Sequence, residues 1–204
     1  MEGEDKTIGI TGGIGAGKSV VSRVLRCNGE YVYDCDYEAK KLMEEDSEIK
    51  RELKGELGED IYTAEGKINR SLMARKVFGD SSIRNFVNGV VHSAVRKDIE
   101  KKMEKHSTFF IESAILLSSG LANICDRIWV VTSPVEERLA RVKLRDNADT
   151  GDIEKRMKTQ ENEINLLKDY NPVLITNDGK TPILMEILKL IRKENNKLIY
   201  TELC

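Results

Sequence analysis

The sequence predicts an α/β fold built on a mainly parallel sheet, and three observations carry the prediction. Five short apolar runs are spread along the 204-residue chain. Helical patterns lie between them. A glycine cluster, "GITGGIGAGKSVVS" at 9–22, stands where the first run meets the first helical pattern.

The runs are TIGIT (7–11), EYVYD (30–34), TFFIES (108–113), RIWVVT (127–132) and PVLIT (172–176). They are continuous rather than alternating, as strands covered on both faces are. Strands alternating with helices give parallel pairing. The interval from Tyr37 to Ser107 holds only helical pattern and is far longer than one crossover helix. It predicts a helical insertion over 37–107, in a core made of 1–36 and 108–200. Within it, Ile83, Phe86, Val87, Val90, Val91, Ala94 and Val95 fall at helical spacing. By the 100° count His92 lies opposite Ile83, Val90 and Ala94. The charge-rich stretch 138–168 is also helical and breaks at "DNADTGD", where Thr150 or Asp152 is expected to cap the second helix. Residues 193–204 read as a loosely attached tail.

Composition bounds the function. The chain is 40% hydrophobic and 33% charged with a formal net charge of -2, so neither nucleic acid nor an anionic membrane is the expected partner. Its 4 cysteines, Cys27, Cys35, Cys125 and Cys204, form no C-x-x-C pair, and only 2 histidines accompany them, so a zinc site is not expected and a reducing cytoplasm is. "MEGEDK" lacks the apolar run of a secretion signal, and no stretch is long and apolar enough to span a membrane.

Glycine is costly to order, so a dense cluster implies a sharp turn or a close approach. Gly12, Gly17, Lys18 and Ser19 fit G-x-x-x-x-G-K-[ST] between a strand and a helix. Such a loop turns successive backbone N–H groups toward a phosphate, and the following helix adds its positive dipole end. Gly13, Ile14, Gly15, Ala16, Gly17, Lys18, Ser19 and Val20 are therefore the expected nucleotide-binding residues, with Lys18 reaching the β- and γ-phosphates and Ser19 a Mg²⁺ ion. The D-x-x-G and N-K-x-D patterns of switch GTPases are absent. Asp34 and Asp36 follow at the end of the second run, where α/β sheets bind ligands. One carboxylate suits the metal shell and the other a hydroxyl proton. The plainer role for Asp36 is to cap the next helix.

These pieces, in this order, resemble the dephospho-coenzyme A kinase family over about residues 6–192. The resemblance rests on "ITGGIGAGKS", "VYDCD", "LGEDIYTAEGKINRSLMARKVFGD", "VVHSAV", "ESAILLSSGL", "RLARVKLRDNAD", "MKTQ" and "LITNDG". It implies a P-loop NTPase core with a five-stranded parallel sheet, a helical acceptor-binding insertion and a lid at about 141–165. It implies transfer of phosphate from ATP, with Mg²⁺, to the ribose 3′-hydroxyl of 3′-dephospho-CoA in the cytoplasm, by a monomer or weak homo-oligomer.

By that resemblance Asp36 is the base and Asp34 a metal residue that also faces the acceptor. Arg145 closes on the phosphates from the lid, assisted by Arg141, or is a solvated charge. Glu112 stands near the metal or is a strand-end carboxylate facing water. Asn177 and Gly179 shape the adenine edge or form a plain turn. His92 contacts the acceptor's phosphates or the sheet edge, or is a surface residue. Gln160 shares a stripe with Ile153, Met157, Ile164 and Leu167 and makes either a nucleotide contact or a structural hydrogen bond. The chain departs from the family at Val20, Ser93, Ala114 and Ser118, the last standing where the family has a glutamate. A P-loop kinase for another small hydroxyl acceptor, or an ATP-binding protein without catalysis, are the alternative readings.

Overall fold

β-Branched and aromatic residues run together in five places, and these places are the strands. The computed structural model describes residues 6–146 and 149–194. The strands are β1 (Lys6–Thr11), β2 (Tyr31–Asp34), β3 (Thr108–Glu112), β4 (Arg127–Thr132) and β5 (Val173–Thr176). They form one sheet in the order β2-β3-β1-β4-β5. β1 pairs in parallel with β3 and with β4, and β4 with β5. β1 is thus central, flanked on both sides, and every residue from Thr7 to Thr11 is buried.

The chain divides into two units, one comprising the segments up to Tyr33 and from Met103 onward, the other Asp34–Lys102. In the first, α1 (Lys18–Cys27) and α8 (Ile183–Glu194) cover the sheet. Val21, Leu25, Ile187 and Ile191 from these helices join Ile8, Ile10, Phe110, Trp129 and Ile175 in one core. The C-terminal end of α8 is tied down. Glu194 is buried, lies 3.3 Å from Arg127, and accepts from Lys6 Nζ on its backbone carbonyl at 2.8 Å. Lys193 and Glu194, expected in a loose tail, therefore belong to the helix; residues 195–204 of that expectation lie outside the described residues.

The second unit carries α2 (Cys35–Glu45), α3 (Ser47–Leu57), α4 (Arg70–Gly79) and α5 (Ser81–Met103), the last ending just past its boundary. Ile49, Leu53, Leu57, Ile61, Tyr62, Leu72 and Val87 make its core, with Ile83, Phe86, Val90, Val91 and Ala94 packed against it. Farther along α5, Val95 and Ile99 are buried on another stripe. His92 lies near that second stripe by angle and is half-buried.

The helix pair α6 (Val135–Asp146) and α7 (Thr150–Leu166) completes the first unit. Asp149, not Thr150 or Asp152, caps α7, accepting from Gly151 N at 2.8 Å. The short aspartate side chain before the first turn satisfies an otherwise orphaned amide. Asn147 and Ala148, inside the expected break, lie outside the described residues.

Candidate active site

The phosphate loop follows the buried end of β1. Gly15 has φ 78° and Gly17 φ 105°, both in the left-handed region that favours glycine. Gly17 is the N-cap of α1 and uses no side chain for the purpose.

Each carbonyl of the loop has a hydrogen-bond donor. Gly12 O accepts from Lys18 Nζ at 2.8 Å, and Gly13 O accepts from Ala16 N at 3.0 Å. Ile14 O accepts from Arg138 Nε at 3.0 Å, Gly15 O from Arg141 Nη1 at 3.3 Å, and Ala16 O from Asn177 Nδ2 at 2.8 Å. In a trans peptide the N–H points away from the C=O that precedes it. The amides of Gly15 and Gly17 therefore point away from Arg138 and Asn177, while that of Ala16 is spent on Gly13 O within the loop. Such amides beside the N-terminus of α1 make a concave, partly positive surface suited to phosphate.

The flanking helices grip the loop through Ile14. Its side chain is buried with Val142, Ile153, Met157 and Leu139. Its N–H donates to Gln160 Oε1 at 2.5 Å, so Gln160 makes a structural bond to the loop rather than standing apart from it. Three residues on, Glu163 accepts from Leu117 N at 2.8 Å and from Ser118 Oγ at 2.8 Å. Ser118, where the family has glutamate, thus has a carboxylate brought to it from α7.

The remaining expected residues are placed as follows. Arg141 also donates to Ser133 Oγ at 3.1 Å and to Asn177 O at 3.1 Å, so it braces the β5 end as well as the loop. The side chain of Asn177 is committed to Ala16, while Gly179, at φ 75°, forms the turn that follows. Arg145 is exposed and paired with Asp146 at 2.6 and 3.0 Å, which raises the arginine's pKa and lowers the aspartate's. Ser19 and Val20 are exposed on the first turn of α1, and Glu112 is half-buried at the end of β3.

Asp34 and Asp36 belong to the second unit. Asp34 is the cap of α2, accepting from Tyr37 N at 3.0 Å. Asp36 is exposed in the first turn and is not the cap. His92 is half-buried in α5, and burial holds its pKa below the usual value. The structure brings together Lys18, Arg141, Asn177 and Gln160 around the loop. It does not bring Arg145 onto it.

One loop residue escaped the sequence. Arg138 is 8% exposed and lies against the loop. It sits in the quoted "RLARVKLRD", but spacing alone does not separate a buried arginine from its solvated neighbours on a charged helix.

A family model described as dephospho-CoA kinase matches residues 6–182. A dephospho-CoA kinase of Bacteroides fragilis is 38% identical over 196 residues, covering 95% of each chain. One from Porphyromonas gingivalis is 36% identical, covering 94% of this chain and 95% of its own. The crystal structure of TT1252 from Thermus thermophilus superposes with a TM-score of 0.77 at 27% identity, covering 94% of this chain and 98% of the other. A dephospho-CoA kinase from Campylobacter jejuni, 22% identical with a TM-score of 0.68, shares the fold. The matched span takes in the phosphate loop, both aspartates and the α6–α7 pair, and the chain belongs to the dephospho-CoA kinase family of phosphotransferases.

Proposed function

We propose that this chain transfers the γ-phosphoryl group of ATP to the ribose 3′-hydroxyl of 3′-dephospho-CoA, giving CoA and ADP in the cytoplasm. The observation that carries the reading is the phosphate loop, whose carbonyls are held from Lys18, Arg138, Arg141 and Asn177 within a chain of this family. Loop amides and Lys18 stabilise negative charge on the transferring group, and such preorganised donors supply much of the rate in phosphoryl transfer. Lys18 is already aimed along the loop through its bond to Gly12 O. Arg145 reaches the phosphates by exchanging Asp146 for a phosphate oxygen pair, a substitution its fork geometry suits. Arg141, Asn177 and Gly179 border the adenine. Val20 follows Ser19 at the phosphate end of α1. His92 and Gln160 serve the acceptor side and the loop respectively.

Asp36 accepts the proton of the attacking hydroxyl. Its exposure supports this, as does the cap role having fallen to Asp34. The oxygen donors of Ser19, Asp34 and Glu112 suit a hard cation, and Mg²⁺ bound with the nucleotide would neutralise phosphate charge. Among the described residues no three His, Cys, Asp or Glu side chains gather around one point. No described helix is long and apolar enough to cross a membrane. The protein works as a monomer or weak homo-oligomer without nucleic acid.

The test is Asp36→Asn with ATP and a panel of acceptors. Loss of the base should lower kcat with 3′-dephospho-CoA by roughly 10² or more, leaving ATP affinity near that of the parent. Full turnover with collapsed ATP binding would sink the assignment. Turnover of a nucleotide or a shikimate-like alcohol in preference to 3′-dephospho-CoA would sink the substrate.

A further inference from the structure

Arg138 is the most deeply placed cation beside the loop, and its role follows from how it is held. Its Nε donates to Ile14 O at 3.0 Å in a buried bond. Its Nη2 is also buried but has no hydrogen-bond partner. A Cβ added to Gly13 would land on that Nη2 and lie 2.6 Å from Cζ, so the guanidinium packs against the bare Cα. A Cβ on Gly15 would lie 2.5 Å from the backbone carbonyl of Arg138. Two of the loop glycines therefore make room for this one residue.

Burying a guanidinium with an unpartnered donor is costly, and arginine keeps its charge even so. Burial lowers its pKa, opposed by Glu161, without bringing it near neutrality. A hydrophobic side chain of similar length would fill the same space more cheaply. Buried polar groups without partners call for a reason in function. Here the loop itself supplies one. The Ile14–Gly15 peptide is fixed by Arg138 at its carbonyl, which turns the Gly15 N–H to the opposite side. The positive charge then stands directly behind Gly13, in a setting where water screens it poorly.

We propose that Arg138 is a positioning residue of the phosphate loop: it sets the orientation of the Ile14–Gly15 peptide and places a buried positive charge behind the loop that favours polyphosphate over uncharged ligands. This rests on the reading that the loop holds the phosphates of ATP. The residue acts through the loop and through its field, with no direct contact to the reacting atoms.

The experiment measures dissociation constants for ATP and adenosine by calorimetry, with melting temperature and steady-state kinetics, in the parent, Arg138→Met, Arg138→Lys and Lys18→Ala. Arg138→Met fills the space without the charge or the donor. It should melt within a few degrees of the parent, bind ATP about tenfold or more weakly, leave adenosine affinity unchanged, and lower kcat/KM further still. Arg138→Lys keeps the charge and should recover much of the ATP-over-adenosine preference while failing to restore full kcat. Should Arg138→Met not fold, Arg138→Gln carries the same comparison, because it keeps a donor for Ile14 and lacks the charge. Equal losses for ATP and adenosine, unchanged ATP affinity in Arg138→Met, or a lysine variant no better than the methionine one would each overturn the proposal. Unchanged ATP affinity in Lys18→Ala would overturn the phosphate-loop reading beneath it, and the proposal with it.

Discussion

Gly17→Ala and Asn177→Ala should prove strongly coupled, because both act on one hydrogen bond. Gly17 sits at φ 105°, and a Cβ there would land on Asn177 Nδ2. That nitrogen donates to Ala16 O at 2.8 Å, and Ala16 is only 1% exposed. The alanine at 17 carries two costs. The backbone strain of a non-glycine residue in this region is about 1–2 kcal/mol. Displacing Asn177 leaves a buried carbonyl unpaired, at about 1–3 kcal/mol. Asn177→Ala alone incurs only the second. In the double variant the carbonyl is lost once, not twice, so the total should fall short of the sum by about 1–3 kcal/mol.

Urea unfolding followed by tryptophan fluorescence provides the assay. The chain has 1 tryptophan, Trp129, fully buried in β4, so the signal reports on the sheet that carries the loop. For a chain of this size each kcal/mol moves the melting temperature by about 2–4 °C. Gly17→Ala should therefore lower it by roughly 4–20 °C, with a smaller further drop on adding Asn177→Ala. Strictly additive losses would refute the shared bond and leave backbone strain as the whole cost.

Three further outcomes are expected. Hydrogen exchange across residues 140–165 should slow when an ATP analogue binds, since α6 and α7 already grip the loop through Ile14, Arg141 and Gln160; unchanged exchange counts against closure of this pair. Because burial holds His92 below its ordinary pKa of about 6.5, the unfolded chain binds that proton first, so stability should fall as pH drops below about 6.5 and hold level above it. His92→Leu should flatten this part of the melting-temperature profile between pH 7.5 and 5.5; an unaltered slope rules the histidine out. Alkylation of native protein at pH 8 should label exposed Cys27 well before half-buried Cys125, whose thiol is pushed up to about 12 by burial and by the charge of Asp126; equally fast labelling of the two, read by peptide mapping, would contradict the raised thiol.

Strand positions were readable because apolar continuity is a local property. Each expected run overlaps a strand to within a residue at either end, and the glycine-lysine-serine motif falls on a strand–loop–helix junction as its chemistry requires. The caps were not so readable. Asp34 and Asp36, or Asp149, Thr150 and Asp152, can all cap a helix through a side-chain oxygen, and the choice among them turns on one to three residues of helix register. His92 lies off the face of Ile83, Val90 and Ala94 as its angle requires, but its half-burial is not legible from angle alone because α5 buries one stripe early and another late. Arg138 was invisible for a related reason: charged residues on helices are usually solvated, and only the packing of Gly13 and Gly15 against it reveals otherwise.

At Ser118, where the family has a glutamate, a carboxylate is present all the same. A serine has no charge to offer the amides after β3. Glu163 provides it from α7 instead, bonding Leu117 N and the Ser118 hydroxyl at 2.8 Å each. Gln160 and Glu163 are three residues apart, so they share one face of the helix. One reaches the loop after β1 and the other the segment after β3. A single helix face therefore joins the two strand ends beside which the phosphate chemistry must take place. A movement of α7 as one piece that breaks the Glu163 bond would also strain the Gln160 bond to the Ile14 N–H, which belongs to the Gly13–Ile14 peptide of the loop. The segment that carries the departure at 118 is thereby tied to the same helix that holds the phosphate loop through Ile14.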